Sequence, residues 1–237
     1  MASELKYQDS EACFYKMTFI KNGEESKLIG IVDYEAGNTL SVIKALKYLG
    51  MDVELTNDRQ KLLKSDHIVF PGVGAYYDAM EKLRKYDLIS TIKEAVDNGI
   101  PFLGICLGMQ LLFESSEETI GAPDQNAKIV NGLGILDGKI SRFNEKEGYK
   151  IPHMGWNSIE FSKDGLRLFK DVPDNSYFYF VHSYYLKAAD EKCVAARTDY
   201  IQKFDSAVEY GNIFGCQFHP EKSSDQGLQV LRNFCEV

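Results

Sequence analysis

The 237-residue sequence predicts an α/β fold, a doubly wound and mostly parallel sheet with an added antiparallel, β-rich flank. Two patterns predict it. In the first half of the chain, continuous apolar runs alternate with segments of helical spacing, as they do in βαβ units. After about residue 127, short pieces of alternating polarity dominate, rich in Tyr, Phe and Val and separated by Gly, Asn and Asp. That texture is typical of antiparallel strands.

The first half supplies the parallel strands and their connecting helices. LIGIVD (28–33) is a continuous apolar run, which predicts a strand covered on both faces. Further strands are predicted at 51–56, at 66–70 and in the apolar run 101–106. Residues 38–49 place apolar side chains at helical spacing, and Gly50 marks the end of that helix. Residues 75–98 predict one or two helices, and LGMQLLF (107–113) predicts another.

The second half supplies the flank and a closing helix. Strands are expected in GLGILDGKISRF, WNSIEF, SYFYFVHSYYLKA, CVAART, FDSAVEY and NIFGCQF. Residues 223–237 predict the closing helix, with Ser223 or Ser224 near its N-cap. Residues 1–26 show no clear periodicity and are interpreted as an N-terminal extension of unknown role. Residues 27–237 are predicted to form a single domain.

Composition and charge disfavour several classes of protein. The net charge of -8 and the pI of about 5.1 argue against a nucleic-acid binder, which normally has a basic face. No apolar run approaches the roughly 18 residues of a membrane span, and the first twenty residues do not resemble a signal peptide. The five cysteines are odd in number and form no C-x-x-C pair. We therefore expect no disulfide framework, no metal site and a reducing cytoplasm.

Cys106 lies where a buried strand meets a helix, in GICLG (104–108). This is the G-x-C-x-G form of a nucleophile elbow, in which glycines leave room for a tight turn. Such a turn presents the sulfur at the carboxyl edge of the sheet, aims a helix N-terminus at it, and frees the Leu107 N–H to face an oxyanion. The alternative interpretation is an inert core cysteine.

A base partner is expected, because an ordinary thiol is only slightly ionised at neutral pH. His219 follows an apolar run in GCQFHPEK (215–222), and Glu221 comes two residues later. A carboxylate in that place could orient the imidazole, as the third member of a triad does. A solvated strand-end histidine is the alternative, and His-Pro-Glu alone is a weak motif.

A second glycine loop, PGVG (71–74), directly follows the strand at 66–70. In a parallel sheet it lies at the same edge as Cys106. It is either an ordinary turn or the source of a second N–H donor, from Val73 or Gly74, opposite Leu107. Because glycine tolerates positive φ, we hypothesise that this oxyanion hole is switchable and poorly formed at rest.

Six segments in this order resemble the class I, triad-type glutamine amidotransferases, and more narrowly the glutaminase subunits of imidazole glycerol phosphate synthase. The segments are DYEAGN (33–38), PGVGA (71–75), GICLGMQLL (104–112), PHMGWN (152–157), FVHSY (180–184) and GCQFHPEK (215–222). Together they cover roughly residues 28–237. The resemblance therefore extends over nearly all of the chain outside its N-terminal extension.

The resemblance implies a mechanism and a set of residues. Cys106 would attack the side-chain amide carbon of glutamine, His219 would move the proton, and Glu221 would orient His219. Gln110 and Glu118 would contact the polar end of glutamine, beside His182 and Ser183. An exposed helix residue and a solvated carboxylate are the alternatives for Gln110 and Glu118. No cofactor is implied.

The resemblance also implies a partner. In this family the ammonia passes through a tunnel to a separate (β/α)₈ cyclase subunit, with which the glutaminase forms a heterodimer. Interface candidates are Asn38, Trp156, Asn157 and Lys222, although a core tryptophan is an equally ordinary interpretation of Trp156. Three other functions stay open: a paralogue supplying ammonia to another acceptor such as a sugar, a cysteine protease or esterase, and a non-catalytic scaffold subunit.

Overall fold

The computed structural model describes residues 27–35, 37–124 and 126–237. The predicted N-terminal extension, residues 1–26, lies outside the described residues. The strands, numbered in chain order, are β1 Leu28–Val32, β2 Asp52–Thr56, β3 His67–Gly72, β4 Phe102–Cys106, β5 Phe113–Ser116, β6 Val130–Asn131, β7 Leu136–Arg142, β8 His153–Ser158, β9 Glu160–Phe161, β10 Tyr177–His182, β11 Tyr184–Ala188, β12 Val194–Asp199, β13 Lys203–Tyr210 and β14 Ile213–Cys216.

Helices cover the sheet or follow its strands. They are α1 Thr39–Tyr48, α2 Arg59–Leu63, α3 Tyr76–Lys85, α4 Leu88–Asp97, α5 Leu107–Leu111 and α6 Ser224–Glu236, with short 3₁₀ helices at Glu191–Cys193 and Pro220–Lys222. Among the described residues, no helix is both long and apolar enough to cross a membrane.

One twelve-stranded sheet organises the part of the chain that the structure describes. Five neighbouring strands, in the order β2-β1-β3-β4-β14, are all parallel. Strand β13 then runs antiparallel to β14, and the flank continues through β11, β7, β5 and β6. Strands β8 and β10 form a separate antiparallel pair. The predicted α/β class, with a largely parallel sheet and an antiparallel flank, is confirmed.

Side chains of the central strands alternate between two hydrophobic cores, one on each face. In β3, Val69 packs into one core, whereas Ile68 and Phe70 pack into the other. This period of two explains why the strands appear in the sequence as continuous apolar runs, since both faces are buried.

Several local expectations were wrong. Helix α5 ends at Leu111, and Phe113 begins β5, so the predicted helix over 107–113 is a single turn. The β14 strand pairs in parallel with β4 as well as antiparallel with β13. Helix α2 was not predicted, because its five residues are too short to show a period; the Asp58 side chain caps it. Ser223 is the N-cap residue of α6, as predicted, although its hydroxyl makes no capping hydrogen bond.

Candidate active site

The turn from β4 into α5 has the geometry of a nucleophile elbow. Cys106 adopts φ 54° and ψ -111°, a strained conformation for a residue with a side chain. A Cβ on Gly108 would lie 1.7 Å from the Phe70 carbonyl oxygen, and one on Gly104 would lie 2.7 Å from the Met109 nitrogen. Both glycines are therefore required for the backbone to pass this closely, as the sequence predicted.

His219 and Glu221 form a buried pair just beyond the adjacent strand. Because β14 lies beside β4, with Cys216 opposite Ile105, the chain after β14 emerges at the Cys106 edge of the sheet. His219 Nδ1 lies 2.9 Å from Glu221 Oε1, and the two side chains are 2% and 1% exposed. His219 Nε2 is buried with no hydrogen-bond partner among the described residues, which leaves it free to exchange a proton with a neighbour.

The surroundings of His219 favour its charged form. Burial by itself would lower the pKa of His219, but a negative charge on Cys106 and the hydrogen bond that the ring donates to Glu221 outweigh it and raise the pKa to about 10. This raised pKa favours the protonated ring at neutral pH. That state fits a thiolate–imidazolium pair with Cys106, the reactive form of a cysteine nucleophile.

A cavity of about 640 Å³ opens above the sulfur. Eight residues singled out from the sequence line it: Val73, Gly74, Cys106, Leu107, Gln110, Glu118, His182 and Ser183. Strand pairing explains the first four, because Gly72 lies opposite Cys106 and the 73–74 loop follows directly. The structure thus brings the candidate nucleophile, the candidate oxyanion donors and the candidate substrate contacts to one place.

The polar groups of the cavity suit a small charged ligand. Burial raises the pKa of Glu118, whose Oε2 accepts a hydrogen bond from the Tyr76 N–H at 3.3 Å. Gln110 is only 4% exposed, so the exposed-helix interpretation is wrong. Its Nε2 donates to the Tyr184 carbonyl at 3.0 Å, which leaves its Oε1 available to a ligand. Among the described residues no cluster of His, Cys, Asp or Glu is arranged to hold a metal ion.

The comparisons with known proteins extend over most of the chain. A family model described as glutamine amidotransferase class-I matches residues 30–237. The chain belongs to the class-I glutamine amidotransferase family. The HisH subunit of imidazole glycerol phosphate synthase of Moorella thermoacetica is 46% identical over 88% of this chain and 94% of that protein. The corresponding subunit of Methanocaldococcus jannaschii is 47% identical over 89% and 100%.

Solved structures of glutamine amidotransferases have the same fold as this chain. A structure described as a glutamine amidotransferase superposes with a TM-score of 0.64 at 19% identity, covering 88% of this chain and 97% of that one. The glutaminase domain of a Trypanosoma brucei CTPS with bound acivicin gives 0.61 at 16% identity, over 89% and 94%. At these identities the likeness shows the fold. The narrower resemblance to imidazole glycerol phosphate synthase subunits is confirmed by the HisH relatives.

The candidate interface residues of this glutamine amidotransferase lie mostly together. Trp156 is 52% exposed, so the core interpretation of this residue is wrong. Its ring meets that of Tyr179 at 6.3 Å, and the Lys222 ammonium lies 5.9 Å from the same Tyr179 ring. Exposed Asn38 precedes α1, which packs against the 220–222 turn. Asn157 differs, because its amide donates to the Asp199 carbonyl at 2.9 Å and to His153 at 3.3 Å.

Three amidotransferase residues of interest were missed from the sequence. Tyr184 lines the cavity and ends the FVHSY motif, so its proximity to Ser183 was a usable signal. Gln217 precedes His219 by two residues, a spacing that places both on one side of an extended chain. Arg142 lines the cavity because β7 pairs with β11, with Arg142 opposite Tyr184. Nothing local in the sequence indicates that pairing.

Proposed function

We propose that this chain hydrolyses glutamine to glutamate and ammonia through a thioester at Cys106. The observation that carries the proposal is the buried His219–Glu221 pair beside a cysteine on a strained elbow, at the floor of a cavity that is also lined by Glu118 and Arg142. Membership of the class-I glutamine amidotransferases supports glutamine as the substrate, rather than a peptide or an ester.

The reaction follows from the roles of the triad. The Cys106 thiolate adds to the side-chain amide carbon, and the carbonyl oxygen becomes an oxyanion near the Leu107 N–H and the Val73–Gly74 peptide. Protonated His219 gives its proton to the departing ammonia as the C–N bond breaks, which leaves a thioester. His219 then takes a proton from water, the hydroxide adds to the thioester, and glutamate leaves as the thiolate reforms. Glu221 orients the ring through Nδ1 throughout.

The cavity recognises glutamine by its charged end. Glu118 and the Gln110 Oε1 accept hydrogen bonds from the α-ammonium group. Arg142, which forms no salt bridge within the described part of the chain, faces the same cavity and attracts the α-carboxylate. Opposite charges across one pocket complement a zwitterion, and the Ser183 backbone and buried His182 complete the wall.

The ammonia passes to a cyclase partner subunit. The relatives are named as subunits of imidazole glycerol phosphate synthase, which supports a partner subunit. On the family resemblance, this partner is a (β/α)₈ cyclase that forms a heterodimer with the chain. The complex makes imidazole glycerol phosphate and aminoimidazole carboxamide ribonucleotide in histidine biosynthesis. The surface of Trp156 and Tyr179, with Lys222 beside the Tyr179 ring, supports this docking, because aromatic side chains are enriched at protein interfaces.

Two further points belong to the same proposal. Residues 27–237 act as one amidotransferase domain, supported by the sheet that runs from β2 to β6 without interruption. The protein works in the cytoplasm, supported by four free cysteines among the described residues.

The test measures glutamate release from glutamine by the wild-type chain and by Cys106→Ala, each alone and with a histidine-pathway cyclase carrying its nucleotide ligand. We expect release that needs Cys106 and rises sharply with the loaded cyclase, which also supports the switchable oxyanion hole. Release that needs Cys106 but ignores the cyclase would assign the glutaminase to another acceptor. Glutamate release that persists in Cys106→Ala, or none in the wild type under any condition, would overturn the mechanism.

A further inference from the structure

A buried glutamine outside the triad touches the candidate nucleophile. Gln217 is fully buried, and its Nε2 lies 3.5 Å from Cys106 Sγ. Its Oε1 accepts a hydrogen bond from Gln110 Nε2 at 2.8 Å, and the same Nε2 donates to the Tyr184 carbonyl at 3.0 Å. A continuous hydrogen-bonded chain therefore runs from the backbone of β11 to the sulfur.

The Tyr184 carbonyl at one end of this hydrogen-bonded series determines which group donates and which accepts in each bond. A backbone carbonyl only accepts, so the Gln110 group that faces Tyr184 has to be the NH₂. That NH₂ also faces Gln217, so the Gln217 atom opposite it has to be the carbonyl oxygen. The remaining end of the Gln217 amide, directed at Cys106, is then a donor. The sulfur receives an N–H whose orientation is set through two side chains by a carbonyl.

We propose that Gln217 is a further catalytic residue, which holds the Cys106 sulfur in place and stabilises its negative charge, and that Gln110 is the positioning residue that fixes the Gln217 amide. This inference rests on the proposed function, because it assigns a role at the same nucleophile. An amide does not titrate, so Gln217 supplies a fixed donor and moves no proton. The thiol proton goes to His219 Nε2, and Gln217 favours the resulting thiolate.

The burial of Gln217 makes this contact effective. Hydrogen bonds to charged acceptors are about twice as strong as those between neutral groups, and a dry surrounding strengthens them further. The Gln217 bond is strongest to the free thiolate and weakens as the sulfur loses its charge in the thioester. It is restored when glutamate leaves. Gln217 therefore stabilises the Cys106 thiolate before attack and again when it is released from the thioester. It does not line the glutamine cavity.

The experiment measures the rate of Cys106 alkylation by iodoacetamide across pH, by peptide mass spectrometry of the full chain, for wild type and Gln217→Met. Methionine keeps a similar length and removes the donor. We expect the midpoint of the pH–rate profile to rise by about one pH unit, so that alkylation below the midpoint slows about tenfold. Gln110→Met should shift the midpoint in the same direction by a smaller amount.

The matched control is Asn233→Leu, which removes an equally buried amide far from the sulfur. Asn233 donates to the Leu168 and Lys170 carbonyls at 3.0 and 2.7 Å and is 2% exposed. It should lower the melting temperature and leave the alkylation profile unchanged. If Gln217→Met does not fold, Gln217→Leu removes the donor with a smaller apolar side chain, and its midpoint should rise in the same way.

An unchanged or lower midpoint in a folded Gln217→Met or Gln217→Leu protein would overturn the role of Gln217. That result is separable from failure of the proposed function, which appears as glutamate release that does not need Cys106. Alkylation requires no glutamine binding, so a shifted midpoint reports on the sulfur and not on the cavity.

Discussion

His153 Nδ1 lies 3.0 Å from His182 Nε2, and His182 lines the cavity above Cys106. His182 Nδ1 lies 2.8 Å from the Tyr184 carbonyl, so this nitrogen carries the hydrogen. His182 Nε2 therefore accepts from His153 Nδ1–H, and His153 Nε2 accepts from the Asn157 amide at 3.3 Å. Both rings are neutral in this arrangement. Burial lowers the pKa of His153 to about 4 and that of His182 to about 3.

This pair predicts a loss of stability in mild acid. A histidine whose pKa is depressed on folding stabilises the protein above its unfolded pKa of about 6.5, and that stability falls as the pH drops toward the folded value. We expect the free energy of unfolding to decrease by about 2–3 kcal/mol between pH 6.5 and pH 4 on account of His153. Urea unfolding across this range checks it.

The double variant His153→Asn/His182→Asn should flatten this pH dependence, because it removes both titrating rings. His67→Asn is the control, since burial lowers the pKa of His67 too, but far from the cavity. His219 has the opposite sign: its raised pKa contributes stability that is lost only as the pH rises toward 10. A double variant with the full wild-type slope would show that the pair does not titrate as described.

Glu221→Gln should lower glutaminase activity and move its alkaline limit. The Glu221 carboxylate orients His219 and helps to raise its pKa. The amide that replaces it in the variant holds the His219 ring less firmly and leaves the ring with a lower pKa. We expect kcat to fall by about 10²- to 10⁴-fold, the usual range for lost acid–base catalysis. The alkaline limb of the pH profile should move below that of the wild type. An alkaline limb that stays in place would mean that Glu221 does not influence His219.

Gly108→Ala should destroy the elbow, since the added Cβ would lie 1.7 Å from the Phe70 carbonyl oxygen. We expect a destabilisation of at least about 3 kcal/mol and no glutaminase activity. Gly134→Ala is the control: Gly134 has φ 59° and open space around it, so its cost should be only the 1–2 kcal/mol or so of a left-handed residue. The free energy of unfolding in urea, measured for both variants, separates the cost of the steric clash in Gly108→Ala from the cost of a left-handed backbone in Gly134→Ala. Equal effects in the two variants would contradict the account of the elbow.

Arg142→Met should weaken glutamine binding with little change in the chemical step. Arg142 lines the cavity without a salt-bridge partner in the described ranges, and it is assigned to the α-carboxylate and not to the amide that reacts. We expect KM for glutamine to rise about tenfold with kcat within about twofold, the pattern of lost uniform binding. Arg142→Lys should restore part of the affinity. A reduced kcat at unchanged KM would instead assign Arg142 to the transition state.

Features that depend on local chain geometry were predictable. The GICLG elbow is encoded by glycines whose absent Cβ atoms permit the close approach to Phe70, and this requirement is visible in the sequence. Strands β1, β3 and β4 appear as apolar runs because both of their faces are buried. The contact between His219 and Glu221 was predictable from the place of His219 after an apolar run and from Glu221 two residues later.

Features that depend on long-range pairing were not predictable. Arg142 reaches the cavity only because β7 lies beside β11. No local sequence pattern indicates the order of the flanking strands. Ser223 is the N-cap residue of α6, as expected, but its hydroxyl donates to the His219 carbonyl at 2.6 Å and accepts from the Tyr179 N–H at 3.0 Å. The carbonyl four residues earlier and the N–H of β10 compete successfully with the helix terminus for this short polar side chain.

The most direct test of the central claim is covalent capture of Cys106 by a glutamine-like electrophile such as a diazoketone analogue, mapped by peptide mass spectrometry. The account predicts a single adduct at Cys106, slowed by competing glutamine and greatly slowed in His219→Ala. An adduct mainly at another cysteine, or labelling of Cys106 that neither glutamine nor the loss of His219 affects, would contradict it.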